Sequence, residues 1–96
     1  MPSVTVASKV ALHSRPAARI AARAQELACP VTLEANGRQA PARSLIGILS
    51  LEAEAGTQVT VSAQGRGARE AVSEIARMIE RGPQSAPGRV VLESEG

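Results

Sequence analysis

The sequence contains no phenylalanine, tyrosine or tryptophan, so its hydrophobic core has to be built from aliphatic side chains and methionine. Side chains of this modest size suit a thin two-layer domain better than a thick one. The same absence argues against a nucleic-acid-binding protein, because no aromatic ring is available to stack on bases and the basic residues form no dense cluster. Aspartate is also absent. We therefore expect neither a metal site nor a cofactor.

Cys29 is the single cysteine, which excludes an internal disulfide bond. We expect its side chain to be a small buried hydrophobic group. No apolar run approaches the length that spans a membrane, and the N-terminus lacks the basic start and apolar stretch of a signal peptide. These features predict a soluble cytoplasmic protein without membrane insertion.

A chain of 96 residues, 44% of them apolar, is long enough for one packed domain and too short for two. The formal net charge is +2, but it is spread unevenly. Before position 44, six basic residues stand against two acidic ones; the basic ones are Lys9, Arg15, Arg19, Arg23, Arg38 and Arg43. A basic half indicates an anionic ligand or an acidic partner surface, because complementary charge speeds encounter.

The hydrophobic pattern predicts alternating strands and amphipathic helices in the order β-α-β-β-α-β-α. Strands are predicted at 4–6, 31–35, 38–40 and 58–62, and helices at 14–29, 45–49 and 68–81. Asn36-Gly37 is typical of a tight hairpin turn, and Pro41 is expected to stop the third strand. Because one face of each strand is polar, the pattern favours an α+β domain whose antiparallel sheet is covered by helices on one face only.

This domain is expected to occupy residues 1–82. Residues 83–96 are predicted to be a C-terminal tail, in which 89–92 either form a short strand or are mobile.

The segment from Leu12 to Ala18 brings together groups that can carry a phosphoryl group. His13 directly precedes a predicted helix, whose free N–H groups and partial positive charge favour a phosphate. Its imidazole can supply a nucleophilic nitrogen, and Arg15 can donate charge-assisted hydrogen bonds to phosphoryl oxygens. On spacing alone, a surface histidine beside a solvated arginine has about equal weight.

This segment resembles the active-site segment of HPr, the histidine-containing phosphocarrier family of the bacterial phosphoenolpyruvate-dependent sugar phosphotransferase system. A second segment, 43–51, resembles the regulatory-serine segment of that family. The spacing of the two segments and the element order also agree. The resemblance covers residues 1 to about 82. It implies an open-faced β-sandwich in which three helices cover one face of a four-stranded antiparallel sheet.

The resemblance also implies a function and its partners. His13 would accept phosphate on Nδ1 from phosphorylated enzyme I and pass it to the IIA domain of a sugar permease, while Arg15 would stabilise the phosphoryl group. An exposed apolar docking patch near His13 would consist of Leu45, Ile46 and Leu49. The chain departs from the family pattern at Val10-Ala11, where Asn-Gly is usual. Losing both residues should stiffen or reshape the loop that carries the histidine.

Ser44 has a structural and a regulatory interpretation. As an N-cap it would stabilise the second helix by about 1 kcal/mol. As a target of a serine kinase it would place negative charge on the docking patch and repel acidic partners. We favour the cap alone, because serine readily caps helices. In the same segment some apolar residues must face the core, and we expect these to be Ile48 and Leu51.

Two other functions stay open beside the sugar-uptake carrier. The same chemistry could serve a regulatory branch, in which phosphate passes to a protein that controls nitrogen or carbon metabolism, such as a transcriptional regulator. The chain could instead be an interaction module whose histidine is never phosphorylated, although the pairing of His13 with Arg15 argues against this. A stand-alone enzyme is disfavoured, because the nucleophile has no acid–base partner in sequence. Glu52 and Glu54 are assigned no catalytic or metal-binding role.

Overall fold

The computed structural model describes residues 1–82 and contains four strands and three helices in the predicted order. The strands are β1 (Ser3–Ala7), β2 (Val31–Ala35), β3 (Arg38–Pro41) and β4 (Gln58–Ala63), and the helices are α1 (Ser14–Glu26), α2 (Leu45–Ser50) and α3 (Ala68–Arg81). The predicted tail and its optional strand at 89–92 lie outside the described residues.

The four strands form one antiparallel sheet in the order β1-β4-β2-β3. Alternate residues are buried, so that Leu33, Val59 and Val61 are fully enclosed beneath the helices. On the opposite face the hydroxyl groups of Thr5 and Thr60 hydrogen-bond across β1 and β4 at 2.8 Å. The sheet is therefore helix-covered on one face only, which confirms the predicted open-faced β-sandwich.

The turn between β2 and β3 has the predicted hairpin conformation, with positive φ at both Asn36 (55°) and Gly37 (76°). Pro41 was expected to stop β3, but it is the last residue of that strand and pairs in register with Thr32. An edge strand tolerates proline because one side of its backbone needs no ladder partner, and β3 lies at the edge of the sheet.

Helix α1 ends earlier than the sequence predicts, at Glu26 and not directly before Pro30. Leu27 already has extended backbone angles (φ −86°, ψ 143°), and Ala28, which lies within the predicted helix 14–29, is outside the helix and exposed. The residue before a proline is disfavoured in the helical region. The early end of the helix also lets Cys29 enter the core, where it is buried as predicted. Its thiol donates a hydrogen bond to the Gln64 carbonyl oxygen at 3.0 Å.

Helix α1 buries Ala17, Ile20, Ala21 and Ala24 and packs against α2 and α3, and it is tied to α3 by an ion pair. The guanidinium of Arg23 donates to both oxygens of the Glu74 carboxylate, with 3.1 Å between Nη2 and Oε1. These hydrogen bonds lower the pKa of Glu74, since they favour its charged form. The contact joins the last part of α1 to α3.

On α3, Met78 is half-buried and packs against the edge of the core. Within residues 1–82, no helix combines the length and hydropathy that a membrane span requires.

Candidate functional site

His13 is the N-cap residue of α1, with extended backbone angles (φ −81°, ψ −169°). Its carbonyl oxygen accepts the first helical hydrogen bond, from the Ala17 N–H at 2.9 Å. Its side chain makes no capping hydrogen bond and is 74% exposed. The structure thus holds the backbone of His13 in place and leaves the imidazole accessible to another protein.

The first turn of α1 offers hydrogen-bond donors beside this imidazole. Pro16 has no N–H, and the backbone N–H groups of Ser14 and Arg15 have no partner within the helix. The Arg15 side chain is exposed and forms no ion pair with any residue from 1 to 82. The predicted combination of histidine, helix N-terminus and available guanidinium is therefore present within one turn.

The loop that leads into His13 is fixed by hydrogen bonds to the segment before β4. The buried Leu12 donates its N–H to the Ala53 carbonyl at 2.9 Å. Ser8, also buried, donates its N–H to Thr57 and accepts from the Gly56 N–H, at 2.9 Å and 2.8 Å. Its hydroxyl donates to the Val10 carbonyl at 2.6 Å. The histidine loop and the segment 53–57 therefore form one connected unit.

Val10 and Ala11, which depart from the family's usual Asn-Gly, both have negative φ. The loop therefore closes with backbone conformations that any residue adopts, and glycine is not needed there. An effect of these two residues on phosphoryl transfer stays a prediction.

Glu54 is a site residue that sequence reasoning missed. Its carboxylate oxygen Oε1 lies 3.8 Å from Nε2 of His13, and the Glu54 side chain is 69% exposed. The two residues are distant along the chain, and no motif links them. The hydrogen bonds between the histidine loop and the segment 53–57 bring the carboxylate to the imidazole, and the Leu12–Ala53 bond places the neighbours of both residues side by side.

The end of α2, from which Glu54 follows, is held by side chains of the β2–β3 hairpin. The Asn36 amide donates to the carbonyl oxygens of Leu51 (2.8 Å) and Glu52 (3.1 Å). Arg38 donates to the Ser50 carbonyl at 2.7 Å. These bonds satisfy carbonyl groups that the helix end leaves without partners. They also support a left-handed conformation at Glu52 (φ 55°), which is costly for a residue other than glycine.

The predicted docking patch lies on the outer side of α2. Ile46 is 74% exposed, Leu45 is 38% exposed and Leu49 is half-buried. Ile48 and Leu51 are fully buried, as predicted. Helix α2 packs against α1, at whose start His13 lies, and is followed directly by the segment that contacts the histidine loop. A docking role for the patch stays a prediction.

Ser44 is the N-cap of α2, as predicted, and its hydroxyl accepts a hydrogen bond from the Gly47 N–H at 2.9 Å. This close turn explains the glycine at position 47. A Cβ atom there would lie only 3.0 Å from both the Ser44 hydroxyl and the Ala40 Cβ, so any larger residue would push the helix start away from the sheet.

An exposed histidine at a helix N-terminus, next to free amides and a guanidinium on a βαββαβα sandwich, defines the class of small histidine phosphocarriers. Comparison with known families agrees. The family model of the PTS HPr component phosphorylation site matches residues 2–81. The chain belongs to the HPr family.

Two relatives illustrate the range of this family. The HPr-like protein Crh of Bacillus subtilis is 36% identical over 77 residues, which cover 80% of this chain and 91% of Crh. Phosphocarrier protein HPr of Vibrio cholerae is 35% identical over 78 residues, which cover 81% of this chain and 92% of that protein.

Solved structures show the same fold. HPr-C-His from Thermoanaerobacter tengcongensis superposes with a TM-score of 0.78 at 29% identity, covering 91% of this chain and 99% of the other. A crystal structure of Crh, described as the catabolite repression protein of B. subtilis, gives a TM-score of 0.68 at 34% identity and covers 84% of this chain and 93% of Crh.

Proposed function

We propose that this phosphocarrier accepts a phosphoryl group on Nδ1 of His13 from phosphorylated enzyme I and passes it to the IIA domain of a sugar permease. The observation that carries the proposal is the exposed His13 imidazole beside the free N–H groups and the available Arg15 guanidinium at the start of α1. The proposal places these steps in the cytoplasm, where a carrier can diffuse between its partners. The protein itself is a carrier and not a catalyst.

The proposed transfer needs little from the protein beyond placement and charge. The lone pair of Nδ1 attacks the phosphorus atom of a phosphohistidine on the donor protein, and the donor nitrogen leaves with the electron pair of the broken P–N bond. The Arg15 guanidinium and the amides of Ser14 and Arg15 offer donors for the phosphoryl oxygens. Transfer to the acceptor repeats the same exchange in the opposite direction.

The docking patch Leu45, Ile46 and Leu49 supports the proposed partners. Contiguous exposed apolar patches mark sites of interaction more often than scattered apolar residues do, and in this patch Ile46 is 74% exposed beside Leu45 at 38%. Arg15 and Arg19 are exposed on the neighbouring helix. A partner with an apolar centre and an acidic rim would match this surface.

The test is incubation of the protein with phosphoenolpyruvate and a catalytic amount of enzyme I, followed by measurement of intact mass. We expect one phosphate adduct, stable at alkaline pH and lost in acid, which disappears when a IIA domain is added. No adduct from any cognate enzyme I would contradict the proposal.

A second candidate is a carrier in a regulatory branch, favoured by the similarity to Crh. It uses the same His13 chemistry and differs only in the acceptor, which would be a protein controlling nitrogen or carbon metabolism. Competition distinguishes the two, because the phosphorylated carrier can be offered a sugar-permease IIA domain and a regulatory acceptor from the same bacterium in equal amounts. Faster transfer to the IIA domain supports uptake, and faster transfer to the regulatory acceptor supports the second candidate.

Replacing Arg15 with alanine should slow phosphorylation of His13 about tenfold or more at saturating enzyme I. A hydrogen bond to a charged group contributes about 1.5–3 kcal/mol, and about 1.4 kcal/mol corresponds to a tenfold change in rate. Arg19→Ala is the matched control, since Arg19 is also exposed on α1, one turn further along. Equal rates for the two variants, measured by rapid quench, would exclude the proposed role of Arg15.

Replacing Ser44 with aspartate should weaken the binding of enzyme I while the melting temperature stays nearly unchanged. Aspartate caps helices as well as serine does. Its carboxylate therefore only has to replace the capping hydrogen bond that the Ser44 hydroxyl accepts from the Gly47 N–H. The added charge lies at the start of the docking patch and repels an acidic partner. Calorimetric titration and thermal denaturation measure the two effects.

Ser44→Ala is the control, because it loses the cap without adding charge. It should destabilise the fold by about 1 kcal/mol and bind enzyme I normally. If Ser44→Asp unfolds at a markedly lower temperature than wild type, the serine is chiefly structural.

A further inference from the structure

The proposed transfer leaves one charged group at the site without a role, namely the carboxylate of Glu54. It lies 3.8 Å from Nε2 of His13, on a segment that is hydrogen-bonded to the histidine loop. The bond from the Leu12 N–H to the Ala53 carbonyl joins the residues that directly precede His13 and Glu54. The Glu54 N–H in turn donates to the Thr57 hydroxyl at 2.9 Å. The carboxylate is thus presented to the imidazole by a hydrogen-bonded turn and not by a free side chain alone.

We propose that Glu54 is a positioning residue for phosphoryl transfer at His13, a role that rests on the proposed function of that histidine. A carboxylate that faces Nε2 favours the tautomer with the proton on Nε2, which leaves the lone pair on Nδ1. The same relation, in which a carboxylate orients a histidine through its second nitrogen, is used in catalytic triads and metal sites. Here the carboxylate would make Nδ1 the nucleophilic nitrogen of His13.

The charge balance of the transfer explains why such a carboxylate helps. When Nδ1 forms its bond to phosphorus, the imidazole ring gains positive charge while the proton stays on Nε2. The P–N bond of the donor phosphohistidine breaks, and its electron pair stays on the donor nitrogen. The Glu54 carboxylate stabilises the imidazolium character on the accepting ring without removing a proton. When the phosphoryl group leaves again, the ring returns to its neutral state with the same tautomer.

The size of this effect follows from the exposure of both groups. With His13 74% and Glu54 69% exposed, water screens the attraction, and an exposed pair of this kind contributes little. We therefore expect Glu54→Gln to slow phosphorylation of His13 roughly threefold at low ionic strength. The difference should shrink at about 0.5 M salt, where screening acts over a few ångströms.

The experiment combines a rate with a spectroscopic measurement that needs no partner. Single-turnover phosphorylation by enzyme I is compared for wild type, Glu54→Gln and Glu52→Gln, and ¹⁵N NMR of the neutral His13 ring reports its tautomers. Glu52→Gln is the matched control, because it removes the same charge two residues before Glu54. The Glu52 carboxylate lies 3.6 Å from Arg38. We expect only Glu54→Gln to be slower and to show a smaller Nε2–H population. Glu54→Asp, which keeps the charge, should recover part of both.

The outcomes separate this inference from the proposed function. If the wild-type protein is phosphorylated on His13 while Glu54→Gln matches it in rate and tautomer population, the role of Glu54 is wrong and the carrier function stands. If both glutamine variants slow the reaction equally, the effect is one of net charge and the positioning role is again wrong. If the wild-type protein is never phosphorylated, the carrier function fails and the role of Glu54 fails with it.

Discussion

Replacing His13 with alanine should abolish the acid-labile phosphate adduct while the melting temperature stays nearly unchanged. No other histidine exists in the chain, so no second imidazole can accept the phosphoryl group. The fold loses little, because the side chain is 74% exposed and makes no capping hydrogen bond. Substitutions of this kind usually change stability by less than about 0.5 kcal/mol. Intact mass after incubation with phosphoenolpyruvate and enzyme I measures the adduct, and thermal denaturation measures the fold.

Ser14→Ala is the matched control for this experiment. Ser14 is the next residue in α1 and is also exposed, but its side chain has no place in the proposed reaction. The variant should therefore be phosphorylated like the wild type. An adduct that survives in His13→Ala would move the phosphoryl site to another residue and overturn the carrier proposal. Loss of the adduct in both variants would point to a damaged helix start and not to a missing nucleophile.

The parts of the fold that the sequence predicts well are those that depend on neighbours along the chain. Alternation fixed the four strands to within a residue of their observed ends, and Asn36-Gly37 adopts the positive φ values of a tight hairpin. Ser44 caps α2 through the Gly47 N–H, as a serine before an apolar helical segment suggests. The placement of His13 at a helix start is local in the same sense, which is why the core of the site was visible in the sequence.

The features that were missed depend on contacts between distant segments. The end of α1 at Glu26 reflects the burial of Cys29 against the turn after β4, which helical periodicity does not report. Asn36 is readable as a turn residue, but its amide also binds the end of α2. Glu54 reaches His13 because the segment 53–57 is hydrogen-bonded to the histidine loop, including the Leu12–Ala53 bond. In each case one polar group serves both its own segment and a remote one, and no local pattern carries the second role.

Replacing Leu33 with alanine should destabilise the domain by about 3 kcal/mol and lower the melting temperature by roughly 15 °C. Leu33 lies in β2, an inner strand of the sheet, and is fully buried. The surrounding core contains no aromatic side chain that could shift to fill the space, and many of its members are alanines. The cavity should therefore stay largely open, which adds to the loss of buried apolar surface.

Ile46→Ala is the matched control for Leu33→Ala, because it also shortens a branched aliphatic side chain, but one that is 74% exposed on α2. It should leave the free energy of unfolding within about 0.5 kcal/mol of wild type and weaken enzyme I binding if the docking patch acts as proposed. Chemical denaturation gives both stabilities.

A loss below about 1 kcal/mol for Leu33→Ala would mean that the thin core collapses around the missing atoms. A domain of this size has only about 5–15 kcal/mol of stability in total, so the expected loss is large enough to reduce the folded population near the melting temperature of the wild-type protein. The two variants together would separate the residues that hold the sheet under its helices from those that α2 leaves free for a partner.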